Sequence, residues 1–406
     1  MLTRKDSGQA SLQCIAALAV RPAHCDDRGL PVPELSPMPS RRIRPLLALL
    51  AALALPFGAL AAPVAGEHYR VVAYDTAQHP ISTVDADRID TLIFAFARVV
   101  DGQVTLNDAA RARLAQRIAL KAMHPQLKVT VSVGGWEAGG FSEAAATAAG
   151  RQRFADSAAA LLAATHADGL DVDWEYPGHH ESGIASSPQD REHFTALLKT
   201  LRTTLDRAGH GKHYLLSIAA ADGPFVDGIA IAAVAPSLDW FNLMTYDFCN
   251  AMTPTTCNHT GLHASALAPA DARTLARAVR QFRAAGVPPA KLVPGVAFYG
   301  REFADVQPAH HGLFQRFGHF QAMIAWPQLK ADYIDRHGYV RYWDAKAEAP
   351  YLWNAKTRSF ISYDDPQSIA AKAAYVKAQH LGGLMYWEQA NDPDGELLKA
   401  VWQGLQ

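Results

Sequence analysis

Cysteine is scarce. Four residues in 406 cannot knit a disulfide framework, so the fold must rest on a hydrophobic core. Charge of either sign is also missing in excess: 38 Lys+Arg stand against 39 Asp+Glu, a formal charge of −1. This excludes the basic footprint of a nucleic-acid binder or of a protein held to an anionic membrane, and it points to a neutral or small partner. No glycine-rich phosphate turn follows the first strand-like run, and no nucleophilic-serine elbow or cofactor fingerprint occurs. His179-His180 and His310-His311 fall in no metal-binding helix pattern and have no Cys beside them, so they read as solvated loop residues. Neither a cofactor nor a metal is expected. Internal repeats, low-complexity linkers and an appended binding module are absent as well.

Long apolar runs are missing with one exception. Leu46 to Leu60, broken by Pro56 and Gly58, follows the basic stretch Met38-Pro-Ser-Arg-Arg-Ile-Arg44 and ends in Ala59-Leu60-Ala61. This order is that of a secretory signal peptide over residues 38–61, cut near Ala61 or Ala62. The run is short for a spanning helix and contains a proline, so no stable membrane anchor is expected. The expected location is outside the cell or in a periplasm. Residues 1–37 read as a non-structural extension, with Met38 as the alternative start. Cys14 and Cys25 lie in that extension, which leaves Cys249 and Cys257 in the folded part, residues 66–406. An oxidising compartment permits a disulfide between them; two free thiols are the alternative.

What the sequence does have is alternation. Apolar, β-branched or aromatic runs predict strands over Tyr69–Asp75, Thr91–Val99, Lys128–Gly134, Leu170–Glu175, Tyr214–Ala220, Trp240–Tyr246, Leu292–Phe298 and Gly383–Glu388. Helix-like stretches lie between them, at Ala109–Met123, Gln152–His166, Asp190–Ala208, Ala270–Ala285 and Ser368–Gln379. Strand–helix alternation argues for a parallel sheet, and eight such strands argue for an α/β fold of the (β/α)8 TIM-barrel type. The gap from Glu302 to Ile361 is too long for a structureless loop. It is rich in aromatics, including Trp343 and Trp353, and predicts a small α+β insertion between strands seven and eight that walls the barrel mouth. Those two tryptophans either line a cleft or pack the insert.

One strand carries chemistry. Asp171, Asp173 and Glu175 stand at spacing two, so they share a face, with Leu170, Val172 and Trp174 on the other. With 39 acids in 406 residues, such a triplet arises by chance about 0.4 times in a chain this long. The spacing alone is weak; the setting is strong. The apolar set can pack on outer helices, which turns the acids into the barrel, where three stacked carboxylates are costly unless they share protons. Neighbouring carboxyls cannot all ionise, so at least one holds its proton to higher pH. Glu175, nearest the mouth, is the candidate proton donor to a leaving oxygen. The two acids behind it are expected to hold a mobile proton between them. Asp168 has the opposite parity to Asp171 and reads as a turn residue or one supporting the site from behind.

These residues resemble glycoside hydrolase family 18, the chitinases and their relatives. The family signature Asp-x-x-Asp-x-Asp-x-Glu is complete as Asp168, Asp171, Asp173 and Glu175. Further similar motifs are Ser132-Val-Gly-Gly-Trp136, Met244-Thr-Tyr-Asp247, Phe298-Tyr-Gly-Arg301 and Gly382-Gly-Leu-Met-Tyr-Trp387, in family order. The resemblance spans about Tyr69 to Asn391 and includes the inserted subdomain of the deep-cleft chitinases. It implies hydrolysis of chitin or N-acetylglucosamine oligosaccharides with retention, the substrate's own acetamido oxygen acting as nucleophile. It further implies Glu175 as acid and base, and Asp173 as partner of the acetamido nitrogen. Asp171 would share Asp173's proton, with Ser132 a donor behind it. Tyr246 would orient the acetamido carbonyl, and Trp387 would be the floor under the sugar. Asp247, Met244, Tyr299, Arg301, Trp136, Tyr74 and Phe96 match the family's substrate-binding positions; barrel-core packing is the alternative for Met244 and Phe96. A monomer is expected.

Overall fold

The computed structural model describes residues 68–406; the expectations for the extension, the signal peptide and its cleavage lie outside the described residues. Fourteen strands follow in chain order. They are β1 (Arg70–Asp75), β2 (Thr91–Val100), β3 (Gln103–Thr105), β4 (Lys128–Gly134), β5 (Gly169–Asp173), β6 (Leu215–Ala220) and β7 (Trp240–Leu243). Then come β8 (Leu292–Ala297), β9 (Tyr299–Ala304), β10 (His319–Ala325), β11 (Val340–Asp344), β12 (Ala349–Asn354), β13 (Ser359–Ser362) and β14 (Gly383–Trp387). Eight of them pair in parallel around the ring β1-β2-β4-β5-β6-β7-β8-β14, which the β1–β14 pairing closes. The protein is a (β/α)8 barrel. Its strands are buried on both faces, which explains why they read as near-continuous Val, Ile, Leu and Ala runs.

Every expected barrel strand is present, but four stop early, β8 and β14 by one residue and β5 and β7 by more. β5 ends at Asp173 rather than Glu175, and β7 at Leu243 rather than Tyr246. The reason lies in the backbone: the Asp173 carbonyl accepts from Gly135 N at 2.9 Å, and Met244 N donates to Ala220 O at 2.9 Å. The neighbouring strands diverge beyond these bonds. Glu175 and Tyr246 therefore project from strand ends at the C-terminal mouth, where such barrels keep their chemistry.

The outer helices sit where periodicity placed them, with ends set by caps. Asp190–Ala208 buries Phe194, Leu197, Leu198, Leu201 and Leu205 along one stripe. Thr147 caps the helix Ala148–Thr165 by accepting from Gly150 N, and Thr274 caps Leu275–Ala284 by accepting from Arg277 N, which moves both starts from their expected positions. Asp365 and Ser368 form a capping box that starts Pro366–Ala378. Between β6 and β7 the connection holds only short helical turns, Gly223–Gly228 and Ile231–Val234.

The insertion lies between the seventh and eighth barrel strands, β8 and β14, as expected. It is a five-stranded antiparallel sheet in the order β10-β9-β13-β12-β11. Its helical content is limited to turns such as Trp326–Gln328 and Leu329–Tyr333. It begins at Tyr299 rather than Glu302, because β8 passes through Phe298 directly into β9. Trp353 is 4% exposed and packs with Phe303, Leu313, Tyr351 and Phe360 in the core of this sheet, so it fills the insert. Cys249 belongs to the same cluster and is joined to Cys257 by a disulfide with a Cα–Cα distance of 5.8 Å.

Candidate active site

Register builds the base of the site. Ser132 of β4 lies opposite Asp171 of β5, and Asp171 lies opposite Ser217 of β6. Residues level on adjacent parallel strands point the same way, so the two hydroxyls flank the carboxylate inside the barrel. Asp171 Oδ2 accepts from Ser132 Oγ at 2.8 Å and from the Tyr74 hydroxyl at 2.9 Å. Its Oδ1 accepts from Ser217 Oγ at 2.7 Å and from Asn242 Nδ2 at 3.1 Å. The Asn242 amide is oriented for this by Trp240 Nε1, which donates to its Oδ1 at 2.8 Å. Burial pushes the Asp171 pKa up, and these four donors pull it back.

Asp173, one layer nearer the mouth, is 4% exposed, and its Oδ1 has no hydrogen-bond partner among the described residues. Burial first, then the nearby Glu175 and Asp171 carboxylates, push its pKa well up; the Arg98 guanidinium opposes this. Burial favours the protonated form of both carboxyls; on Asp171 four donors oppose it, on Asp173 only the Arg98 charge does. Glu175 is half-buried at the mouth. Burial chiefly, with the Asp247 charge adding and Tyr176 opposing, raises it to about 7. A carboxyl with that value is protonated in part at neutral pH and can both give and take a proton. Trp174, on the opposite face, stacks on Phe141 at 5.3 Å and meets Phe194 edge-on at 5.4 Å. This anchors the strand from outside the barrel.

The mouth opens into a cleft of about 520 Å³ lined by Asp173, Glu175, Tyr246, Asp247, Tyr299, Arg301 and Trp387, among others. Tyr246 is buried, and its hydroxyl points at Met385 Sδ, 3.8 Å away. Burial and the surrounding carboxylates push its pKa well above the usual phenol value, so it keeps its proton and can donate it in a hydrogen bond. Room for its ring comes from Gly295, where a Cβ would stand 2.7 Å from Tyr246 Cε1. Trp387 lies stacked against Phe96 (5.7 Å, 22°) and tilted against Tyr74 (5.8 Å). Asp247 takes an ion pair from Arg301 and a bond from the Tyr299 hydroxyl at 2.8 Å. Burial works against its charge, but the His259 ring and Arg301 hold its carboxyl well below the usual range.

Most residues singled out from the sequence meet here. Met244 and Phe96 line the cleft, and Trp136 stands at its rim, 44% exposed. Tyr74 reaches the cleft with its ring but spends its hydroxyl on Asp171. Asp168 does not belong to the site. It lies at the opposite end of β5, where its Oδ2 accepts from Val129 N at 2.9 Å and from Lys121 Nζ at 2.7 Å. It pins two strand beginnings together. Residues missed by sequence reasoning include Ser217 and Asn242; the level spacing of the strands could have found Ser217 once Asp171 was chosen. Tyr176 and Phe225, stacked at 4.6 Å along the cleft wall, and Arg98 and Arg273 carried no such signal. The motif Ser132-Val-Gly-Gly-Trp136 has a steric reason: a Cβ on Gly134, at φ +124°, would stand 2.0 Å from the Asp173 carbonyl oxygen. Among the described residues no group of three or more His, Cys, Asp or Glu is placed to hold a metal ion, and no helix is long and apolar enough to cross a membrane.

Comparison with known proteins gives a consistent result. The family described as Glycosyl hydrolases family 18 matches residues 70–392. Chitinase A1 of Niallia circulans is 41% identical over 291 residues, 67% of this chain and 42% of that protein. The chain thus spans less than half of that relative's length. Chitotriosidase-1 of Mus musculus is 33% identical over 324 residues, 75% of this chain and 67% of its own. Among solved structures, a family 18 N-acetylglucosaminidase from Paenibacillus barengoltzii superposes with a TM-score of 0.80 at 41% identity, covering 83% of this chain and 100% of that one.

Proposed function

The chain belongs to family 18 of the glycosyl hydrolases, and on that premise we propose that it is an exported, retaining chitinase that cuts β-1,4-linked N-acetylglucosamine chains with help from the substrate's acetamido group. One observation carries the mechanism. A conventional retaining glycosidase needs an ionised carboxylate free to attack the anomeric carbon. Here Asp171 is saturated by four donors, burial and acidic neighbours disfavour the charged form of Asp173, and Asp247 is tied to Arg301. Glu175 alone stands at the mouth with a proton to give. The nucleophile then comes from the sugar.

In this reading Glu175 protonates the glycosidic oxygen while the acetamido oxygen closes on the anomeric carbon, giving an oxazolinium ion. The Glu175 carboxylate next takes a proton from the water that opens that ion, and the configuration is retained. Tyr246 donates to the acetamido carbonyl and fixes its line of attack. Asp173 accepts from the acetamido N–H, and as positive charge grows beside it its proton passes to Asp171, whose hydroxyl neighbours can turn to accept from it. Trp387 offers an indole face to the pyranose ring. Analysis of the anomer first released from soluble chitin oligomers tests the proposal: the β-anomer is expected, and initial release of the α-anomer would sink it.

A second reading concerns the product. The full-length likeness to an N-acetylglucosaminidase favours an enzyme that releases single sugars. Chromatography of early products from a hexamer separates the two, since monosaccharide alone supports this reading and mixed oligomers support internal cleavage. Export rests on the signal-like segment ahead of residue 62 and agrees with the Cys249–Cys257 bridge. N-terminal sequencing of the mature chain checks it, with a start at Ala62 or Pro63 expected.

A further inference from the structure

Behind the cleft wall sits a histidine that the mechanism above does not use. The His259 side chain is completely buried. Its Nδ1 accepts from the backbone N–H of Asp247 at 3.4 Å and lies 3.5 Å from Asp247 Oδ1. Its carbonyl accepts from Phe248 N at 3.0 Å, and its own N–H donates to Ser362 Oγ at 2.9 Å. The ring lies against Tyr299 at 5.4 Å, and Nε2 has no partner among the described residues. A leucine would fill this space without leaving a buried nitrogen unsatisfied. The imidazole must therefore be useful through its other face, toward Asp247.

Asp247 needs such help. It sits at φ +58°, a left-handed conformation uncommon outside glycine, though Asp adopts it more readily than most residues. The excursion that starts at Asp247 returns at His259, and its two feet are stitched three times: at the Asp247–His259 contact, at the Phe248–His259 backbone bond, and at the Cys249–Cys257 disulfide. The next residue, Thr260, accepts from the buried Lys372 at 2.6 Å and donates to Asp364 at 2.9 Å, while Asp364 also accepts from Ala297 N of β8 at 3.0 Å. His259 is thus mounted on the barrel itself.

We propose that His259 is a positioning residue: it fixes the backbone of Asp247, and through it the carboxylate, so that the part of that carboxylate open to the cleft meets a sugar hydroxyl in one set orientation. The inference rests on the sugar-cleaving function proposed above. Its effect falls on binding, because His259 touches neither Glu175 nor the scissile bond.

The test uses His259→Leu, which keeps volume and removes the nitrogen, and His259→Asn, whose amide can replace the Nδ1 contact. Kinetics on soluble N-acetylglucosamine oligomers are read beside the oligomer Kd, measured in a Glu175→Gln background, and the melting temperature. His259→Leu is expected to raise KM and Kd about tenfold with kcat within about threefold of wild type, and His259→Asn to recover most of the loss. Unchanged KM and Kd in His259→Leu would overturn the inference. So would a loss that follows melting temperature alone and is not rescued by His259→Asn. A wild-type chain that neither binds nor cuts the oligomers overturns the proposed function and this inference together, whereas normal cutting with an indifferent His259→Leu overturns this inference only.

Discussion

Two buried charge clusters lie on this barrel, and they are built by opposite rules. In the first, Lys372 and Asp364 are fully buried, and Lys372 Nζ reaches both carboxylate oxygens at 2.6 and 2.7 Å and Thr260 Oγ1 at 2.6 Å. Every charge there has an opposite charge and further hydrogen bonds, as a buried ion pair requires. In the second, Asp171, Asp173 and Glu175 form no salt bridge among the described residues; Asp171 is met by neutral donors, and Asp173 keeps one oxygen unsatisfied. The first cluster holds strands, the returning segment and the insert in place. The second keeps protons where water would remove them. A buried carboxylate's neighbours, rather than its burial, tell which task it has.

The largest effect should come from breaking the second cluster at its mouth. Glu175→Gln removes the proton donor and keeps the shape, so kcat on chitin oligomers should fall about 10³-fold with the fold and the melting temperature preserved. Kinetics and calorimetry on the same sample check both halves. A variant with near-normal kcat would place the acid elsewhere.

Breaking the first cluster should do the reverse. Lys372→Met leaves Asp364 charged and buried without its cation, and should cost about 3–5 kcal/mol of stability, read as a lower midpoint in urea unfolding. At temperatures where the variant is still folded, KM and kcat should stay close to wild type. If activity falls while stability holds, the contrast between the clusters is wrong.

The two clusters also differ in how far the sequence announced them. The eight barrel strands are visible as local apolar runs, and the acidic triplet because period-two patterning is local: Leu170, Val172 and Trp174 reveal the outer face, and the acids reveal the inner one. Asp364 and Lys372 are ordinary residues near a helix start, and nothing local says that Thr260, far back in the chain, closes their network. The same holds for Asn242 and Tyr74, which meet Asp171 only because the barrel closes. Asp168 shows the converse limit. It belongs to the signature by spacing, yet it lies at the far end of the strand, tied to Lys121 and Val129. The three non-proline cis peptides, at Ala95–Phe96, Glu175–Tyr176 and Trp387–Glu388, carry no mark in composition or pattern.

An intermediate effect should come from Asp173→Asn. The substitution puts a neutral amide where burial and acidic neighbours already favour the neutral acid, so stability near pH 5 should lie within about 1 kcal/mol of wild type. Activity should still fall about 10²-fold, because the amide cannot become an anion when positive charge builds beside it. The combination of retained stability and lost turnover is what separates this carboxyl from Asp364, where the equivalent Asp364→Asn should lose both partners of Lys372 and destabilise the fold.

The smallest effect is a slope. Glu175 is raised from its ordinary value of 4.5 to about 7 in the folded chain, chiefly by burial. The folded state thus binds this proton more tightly than the unfolded state does. The resulting stabilisation is complete below the unfolded value and is lost as pH climbs through the window from 4.5 to about 7. Asp173, raised well up by burial and its acidic neighbours, adds a loss of the same sign. Stability measured across this window should therefore decline with rising pH in wild type and decline less in Glu175→Gln, which should become the more stable of the two above pH 7. Over the same range kcat/KM should drop as Glu175 loses the proton it must donate. Parallel unfolding curves for the two proteins at pH 5 and pH 8 decide the point: identical slopes would mean that Glu175 titrates as an ordinary solvated acid, and that the second cluster is not the proton store its unpaired carboxyls imply.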